Sequence, residues 1–271
     1  MQKMKLYSLG LLSLLVFNSC DFNTAKKIQD PQKRYAKALE YYDAGKYAKS
    51  QLLLEDAILT LRMTKDGEES LYKFAYSYYH LKDYILAGYY FRKYVEDYPK
   101  GKYTEEAQFM SAKCYYLDAP KYKLDQNATM TALQEFELFI TKYPNSEKIK
   151  ECNDYIDDLR DKLEFKAFEN AKLYYDIGYY GAAGIAFQNS LKEYPDSKYK
   201  EDIYYYILVS NYKYAKNSIA SKQNERYQKT ISSYKKLIEK FPQSKYLKEA
   251  ESIFKITQKE ISKVNNNNLN S

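Results

Sequence analysis

Four short phrases recur along this 271-residue chain, and they constrain its fold more than any other feature. They are Tyr98-Pro99-Lys100-Gly101-Lys102-Tyr103, Tyr143-Pro144-Asn145-Ser146-Glu147-Lys148-Ile149, Tyr194-Pro195-Asp196-Ser197-Lys198-Tyr199 and Phe241-Pro242-Gln243-Ser244-Lys245-Tyr246. Each separates two amphipathic stretches. The proline lacks an N–H and disfavours α geometry in the residue before it, so it ends a helix. The serine two residues on is a good helix N-cap. In three of the four phrases the aromatic or Ile that follows is expected to pack back on the hairpin just completed. The prolines stand 45, 51 and 47 residues apart. Recurrence at that scale indicates stacked helical hairpins, none of which can bury its apolar face alone.

Inside the units a second pattern repeats. Ala171, Tyr174, Gly178, Ala183, Phe187 and Pro195 follow one another at relative offsets 0, 3, 7, 12, 16 and 24, and Ala75, Tyr78, Ala87, Phe91 and Pro99 share that register. This skeleton resembles the tetratricopeptide repeat: small residues allow two helices close approach, aromatics fill the space against the next hairpin, and the proline closes the unit. The first unit (Ala38, Tyr41, Gly45, Tyr47, Leu54, Ala57) carries Gly67 and its acidic neighbours in place of the terminal proline. The third (Ala112, Tyr115, Ala132, Phe136) has about eight extra residues near Pro120 to Asn127, and the fifth (Val209, Tyr212, Tyr234, Pro242) a similar insertion around Asn217 to Glu225. The expected fold is all-α, a superhelical solenoid of about five tetratricopeptide-like helical hairpins over residues 31–263 plus a C-terminal capping helix from about Lys245 to Lys263. Residues 264–271, with the run Asn265 to Asn268, read as a disordered tail.

The N-terminus carries Lys3 and Lys5, an apolar run from Leu6 to Phe17, and Asn18-Ser19-Cys20-Asp21. That run is too short for a stable membrane span and suits a signal peptide over residues 1–19. The segment resembles a bacterial lipobox, departing from it at Phe17 and Asn18, where smaller or aliphatic residues are usual. The resemblance implies cleavage before Cys20 and attachment of diacylglycerol and an acyl chain to it. An ordinary signal peptide followed by an unmodified cysteine is the alternative. Residues 20–30 read as a linker from membrane to domain.

Composition argues against catalysis. His80 is the only histidine, so a His-based metal site or a Ser-His-Asp triad would hang on one residue. The eight glycines form no phosphate loop, and the carboxylates show no paired constellation. No cofactor and no metal are expected. The formal charge of +7 falls to +5 without residues 1–19, and Lys and Glu are interspersed, which reads as a solvated helix surface and not as a nucleic-acid site. Cys114 and Cys152 read as two buried thiols, although the sequence leaves a disulfide between them open. The 34 tyrosines, without any tryptophan, can fill helix interfaces or line a wet groove.

Cys20, five tetratricopeptide-like units and the repeated aromatic-Pro-x-Ser/Gly-Lys phrase together resemble the BamD-like lipoproteins of the outer-membrane β-barrel assembly machinery. That resemblance covers nearly all of the chain after Cys20. It implies a lipid-anchored protein on the periplasmic side of the outer membrane. It also implies a BamA-like insertase and other assembly-complex subunits as partners, with unfolded outer-membrane proteins as cargo. On the repeat skeleton, Tyr35, Tyr42, Tyr72, Tyr76, Tyr79 and His80 fall on the concave face of the first two units, a candidate groove for an extended peptide; packing against neighbouring helices is the alternative for these tyrosines. Docking of the scaffold partner on the C-terminal units is implied by the resemblance alone. Rival readings are a generic lipidated adapter for envelope or cell-wall proteins and a glycan-uptake lipoprotein, the latter disfavoured by the absence of tryptophan.

Overall fold

The computed structural model describes residues 22–269, with side chains as far as Val264. Residues 1–21, which include the expected signal peptide and Cys20, lie outside the described residues, as do Asn270 and Ser271. Among the described residues there is helix and no strand. Ten helices pair into five hairpins: α1 (Pro31–Asp43) with α2 (Tyr47–Thr60), α3 (Lys65–His80) with α4 (Tyr84–Asp97), α5 (Thr104–Asp118) with α6 (Asn127–Lys142), α7 (Ile149–Asp176) with α8 (Tyr180–Glu193), and α9 (Lys200–Lys216) with α10 (Ala220–Lys240). A last helix, α11 (Leu247–Leu269), follows. The chain divides into two units, one of residues up to Pro120 with Asp125–Leu159, the other of Lys121–Leu124 with Arg160 onward.

The small residues expected at the helix crossings are buried to the backbone. Ala38, Ala57, Ala75, Ala87, Ala112, Ala132, Ala171 and Ala183 are all at most 1% exposed. Phe91, Phe136 and Phe187, four residues after the second alanine of each pair, are fully enclosed. Burying such a ring contributes about 1.5–3 kcal/mol each. Tyr174 departs from the skeleton. It is 46% exposed, and the inward ring is its neighbour Tyr175, which meets Tyr206 edge-on at 5.2 Å.

The phrases end helices as expected, but their serines do something other than cap an α-helix. Ser146, Ser197 and Ser244 each precede the next helix by three residues. Their Oγ atoms accept the N–H two residues on: Lys148 (3.2 Å), Tyr199 (3.1 Å) and Tyr246 (3.1 Å). This is a serine turn that leads into the helix. Ser146 and Ser244 use their hydroxyl proton as well, donating to Glu105 (2.6 Å) and Glu201 (2.7 Å) in the first turn of the preceding odd-numbered helix. The aromatic that closes the phrase then lies flat on a ring of that same helix: Tyr103 on Tyr72 (4.1 Å, 11°), Tyr199 on Phe168 (5.2 Å, 14°) and Tyr246 on Tyr205 (3.9 Å, 8°). Each phrase is therefore held to the hairpin it follows by a carboxylate or ion pair, and the three that close on a tyrosine add a ring stack. In the third phrase Lys198 pairs with Asp161.

Four further expectations are revised. Gly67 is in the first turn of α3 and does not end the first unit; a Cβ there would lie 2.1 Å from the Leu61 carbonyl oxygen, so glycine is what lets the end of α2 and the start of α3 touch. The insertion of the fifth unit lengthens α10, which runs for 21 residues, and does not form a loop throughout. Residues 22–26 are helical and docked. Ala25 is 2% exposed, Phe22 and Ile28 pack on the first hairpin, and Phe22 meets Tyr41 edge-on at 5.8 Å, so the expected linker is part of the domain from Phe22. Asp30 then caps α1 by accepting from the Gln32 N–H (2.9 Å). Finally, α11 extends to Leu269, past the boundary expected at Lys263, because no proline or glycine stops it there.

Candidate functional site

The last turns of α1 and α3 bring most of the predicted groove residues together. His80 stacks on Tyr47 at 4.1 Å and 13°. Tyr42 meets Tyr47 (5.4 Å) and His80 (6.2 Å) edge-on. Tyr76 lies 6.0 Å from His80 and 6.0 Å from Tyr79, and meets Tyr72 edge-on at 4.9 Å. The spacing 72, 76, 79, 80 places these side chains on one side of α3. The result is a continuous run of rings from Tyr42 to Tyr103. Its tyrosines are half-buried and His80 is exposed.

Polar groups fix the rings. The Tyr76 hydroxyl donates to Glu106 at 2.9 Å, and Lys73 stands 4.3 Å over the ring of Tyr42. Burial pushes the phenols of Tyr42, Tyr72 and Tyr76 up, and the Glu106 carboxylate adds to this at Tyr76, so all three keep their protons as donors. Partial burial among the rings lowers the His80 imidazole below the ordinary histidine range, which favours its neutral form. Such a surface offers apolar ring faces and edges beside hydroxyl and ammonium donors, which suits an extended peptide with aromatic side chains and free carbonyls or carboxylates.

Tyr35 does not join the run. It is 6% exposed, in the core of the first hairpin, where burial and then the Glu69 carboxylate push its phenol up. Tyr47, Lys73, Tyr103 and Glu106 belong to the face and were not among the residues expected in the groove. Tyr103 had a legible signal, since it closes a repeated phrase. Lys73 and Glu106 had none, because charged residues are spread along every helix.

Cys114 and Cys152 are free, buried thiols; burial pushes them up to about 12 and about 11. Among the described residues no group of three or more His, Cys, Asp or Glu side chains is placed to hold a metal ion, and no helix is long and apolar enough to cross a membrane.

The family model for YfiO, described as outer membrane lipoprotein, matches residues 27–202 and again residues 167–266. The chain belongs to the YfiO outer membrane lipoprotein family. Its two overlapping matches fit an array whose units resemble one another. The YfiO assignment associates the protein with the outer membrane. A curated relative, the putative outer membrane protein assembly factor BamD of Aquifex aeolicus (strain VF5), is 26% identical over 268 residues, 95% of this chain and 84% of the relative. Among solved structures, the TPR domain of P58(IPK) is similar with a TM-score of 0.40 and 12% identity over 93% of this chain and 68% of that one. A Podospora kinesin light chain-like protein with nearly identical TPR-like repeats gives a TM-score of 0.33 and 15% identity over 86% of this chain and 99% of that one.

Proposed function

We propose that this protein is a non-catalytic scaffold of the outer-membrane β-barrel assembly complex, anchored through acylated Cys20 and facing the periplasm. In this reading it binds a BamA-like insertase and receives unfolded outer-membrane proteins. The YfiO matches over residues 27–202 and 167–266 support an outer membrane lipoprotein, and the similarity to the Aquifex aeolicus relative described as a putative assembly factor supports the assembly role. The ring run from Tyr42 to Tyr103 supports the first two hairpins as the place where an extended peptide is held. The docked N-terminus supports a short tether: Phe22 is packed on the first hairpin, and two residues reach at most about 7 Å, so an acyl group on Cys20 would keep that hairpin at the membrane surface.

The test is affinity purification of the tagged full chain from membranes in mild detergent, followed by mass spectrometry, with Cys20→Ala as control. Stoichiometric recovery of a β-barrel insertase with repeated periplasmic domains is expected. Recovery of cell-wall enzymes or a transporter without such an insertase would leave the lipidated helical array and remove the assembly role.

A further inference from the structure

Two grooves in this chain occupy equivalent places in the repeat. One, of about 280 Å³, lies among α4, α5 and α6, and the other, of about 260 Å³, among α8, α9 and α10. The phrases that bound them are 96 and 98 residues apart, and the lining residues correspond in the same register: Val95 to Leu191, Glu96 to Lys192, Ser111 to Ile207, Glu135 to Ser233, Leu138 to Lys236. The first groove is charge-balanced. Arg92 pairs with Glu135, Lys142 donates to Gln108 at 3.0 Å, and Glu96 stands beside them. In the second groove both carboxylate positions have changed, to Lys192 and Ser233, and a leucine position has become Lys236. No carboxylate lines it. Lys192 and Lys236 are exposed and enter no ion pair among the described residues. The Ser233 hydroxyl is already engaged, accepting from Asn211 (2.8 Å) and donating to the Lys229 carbonyl (2.9 Å).

The surroundings share this sign. Residues 22–159 balance 21 Lys and Arg against 22 Asp and Glu, whereas over residues 180–240, which carry the groove, there are 11 against 6. On α10, Lys222, Lys229, Lys236 and Lys240 recur at helical spacing on the side of Ser233 over roughly 27 Å; Lys229 pairs with Glu225 (2.8 Å) and Lys240 with Glu239 (3.5 Å).

We propose that the groove among α8, α9 and α10 docks an acidic, amphipathic polypeptide segment of a partner protein. Its carboxylates meet Lys192 on one wall and Lys236 on the other, and an apolar side chain rests on Leu191 and Ile207 between them. A polypeptide fits better than a lone anionic headgroup because Lys192 and Lys236 stand on opposite walls of an apolar floor, and a chain can meet both while covering Leu191 and Ile207 between them. Charges at such a rim act chiefly on encounter rate and orientation, and they are screened by salt. The proposal stands on the α8–α10 groove alone and holds whether or not the aromatic face takes cargo.

The probe is a fluorescent dodecapeptide alternating glutamate with leucine and phenylalanine, titrated against the full chain in nonionic detergent at low and at physiological salt. Saturable binding that weakens with salt and falls at least tenfold in Lys192→Glu/Lys236→Glu is expected. The milder Lys192→Gln/Lys236→Gln should show an intermediate loss at unchanged melting temperature. Lys255→Glu/Lys259→Glu on α11 makes the same change in net charge outside the groove and should leave affinity within twofold. Equal losses in the two reversed pairs would reduce the effect to bulk charge and overturn the proposal. So would an absence of peptide binding, or dependence on Lys192 and Lys236 only for adsorption to phosphatidylglycerol vesicles.

Discussion

The phenol of Tyr94 donates its proton to Glu68, and in doing so it performs the task that serine performs elsewhere in the chain. At the fourth phrase the Ser244 hydroxyl donates to Glu201 and accepts the N–H of Tyr246. At the first phrase glycine replaces that serine, and the Tyr94 oxygen, reaching in from α4, accepts the N–H of Tyr103 at 3.1 Å. Glu68 takes the Lys102 N–H at 2.7 Å just as Glu201 takes that of Lys245 at 2.8 Å. A Cβ on Gly101 would lie 2.6 Å from the Glu68 carboxylate and 2.7 Å from the Tyr94 hydroxyl, so the glycine and the tyrosine are two halves of one substitution.

That pairing predicts compensation. Gly101→Ser restores the repeated phrase but overpacks the junction, and should cost about 1–3 kcal/mol. Tyr94→Phe removes a hydrogen bond to a charged acceptor, a loss of about 1.5–3 kcal/mol. The double variant should melt above either single one, since the new hydroxyl fills the vacated place. Additive losses in thermal denaturation would contradict the equivalence.

Glu201→Gln should weaken the junction of the fifth hairpin with α11. The carboxylate oxygen holds both the Ser244 hydroxyl and the Lys245 N–H, and a neutral amide supports them less strongly. A loss of about 1–2 kcal/mol is expected. Hydrogen exchange should quicken in residues 244–260 before it does in α9. Uniform quickening across α9 to α11 would show that the clamp is not local.

Lys82 has a backbone φ of +63° at the hairpin position where the first and fourth units have Gly45 (+70°) and Gly178 (+85°). A side chain in that region costs about 1–2 kcal/mol. Lys82→Gly should therefore raise the melting temperature, by about 1 kcal/mol of stability, while Gly178→Ala should lower it by a similar amount. An unchanged or lowered melting point for Lys82→Gly would mean that the strain is relieved in some other way.

His80 gives the first two hairpins a pH dependence. Its folded pKa lies below the ordinary value of 6.5, so the unfolded chain binds the proton more readily. The stability contributed by the neutral ring is complete above pH 6.5 and declines as pH falls from there through the lowered folded value. Between pH 7.5 and 5 the wild-type melting temperature should fall more than that of His80→Phe, which preserves the stack on Tyr47. Parallel curves for the two proteins would refute this.

The aromatic face is tested by the triple variant Tyr72→Ala, Tyr76→Ala, Tyr79→Ala, with a peptide carrying a terminal aromatic residue as ligand. Binding should be lost while helix content is kept. Because Tyr72 also holds Tyr103, the single change Tyr76→Phe, which removes only the hydroxyl on Glu106, serves as a control and should leave a folded protein that binds with modestly altered affinity. Unchanged binding in the folded triple variant would reduce these rings to packing.

Much of the fold was legible because its causes are local. Proline at 99, 144, 195 and 242 ends a helix whatever surrounds it, and alanine at 75, 87, 171 and 183 marks a crossing because only a small side chain lets two backbones approach. The five hairpins, and the ends of the four that close on a proline, follow from such positions; the end of the first, which has no proline, does not. The candidate face was legible where α3 alone placed it, at Tyr72, Tyr76, Tyr79 and His80, since spacing along one helix determines which side chains share a side.

What spacing along one helix cannot contain is the identity of the neighbour across a gap. That Tyr35 turns into the core while Tyr42 stays at the surface, that Tyr175 and not Tyr174 packs inward, and that Tyr94 supplies the hydroxyl missing from Gly101 were decided by the packing of separate helices. So was the contrast between a balanced groove at Glu96 and Glu135 and a cationic one at Lys192 and Lys236. Local propensity and periodicity are properties of a segment and are written in the sequence. Burial, hydrogen-bond partners and the charge of a groove are properties of pairs of segments, and they exist only once the tertiary structure has brought those segments together.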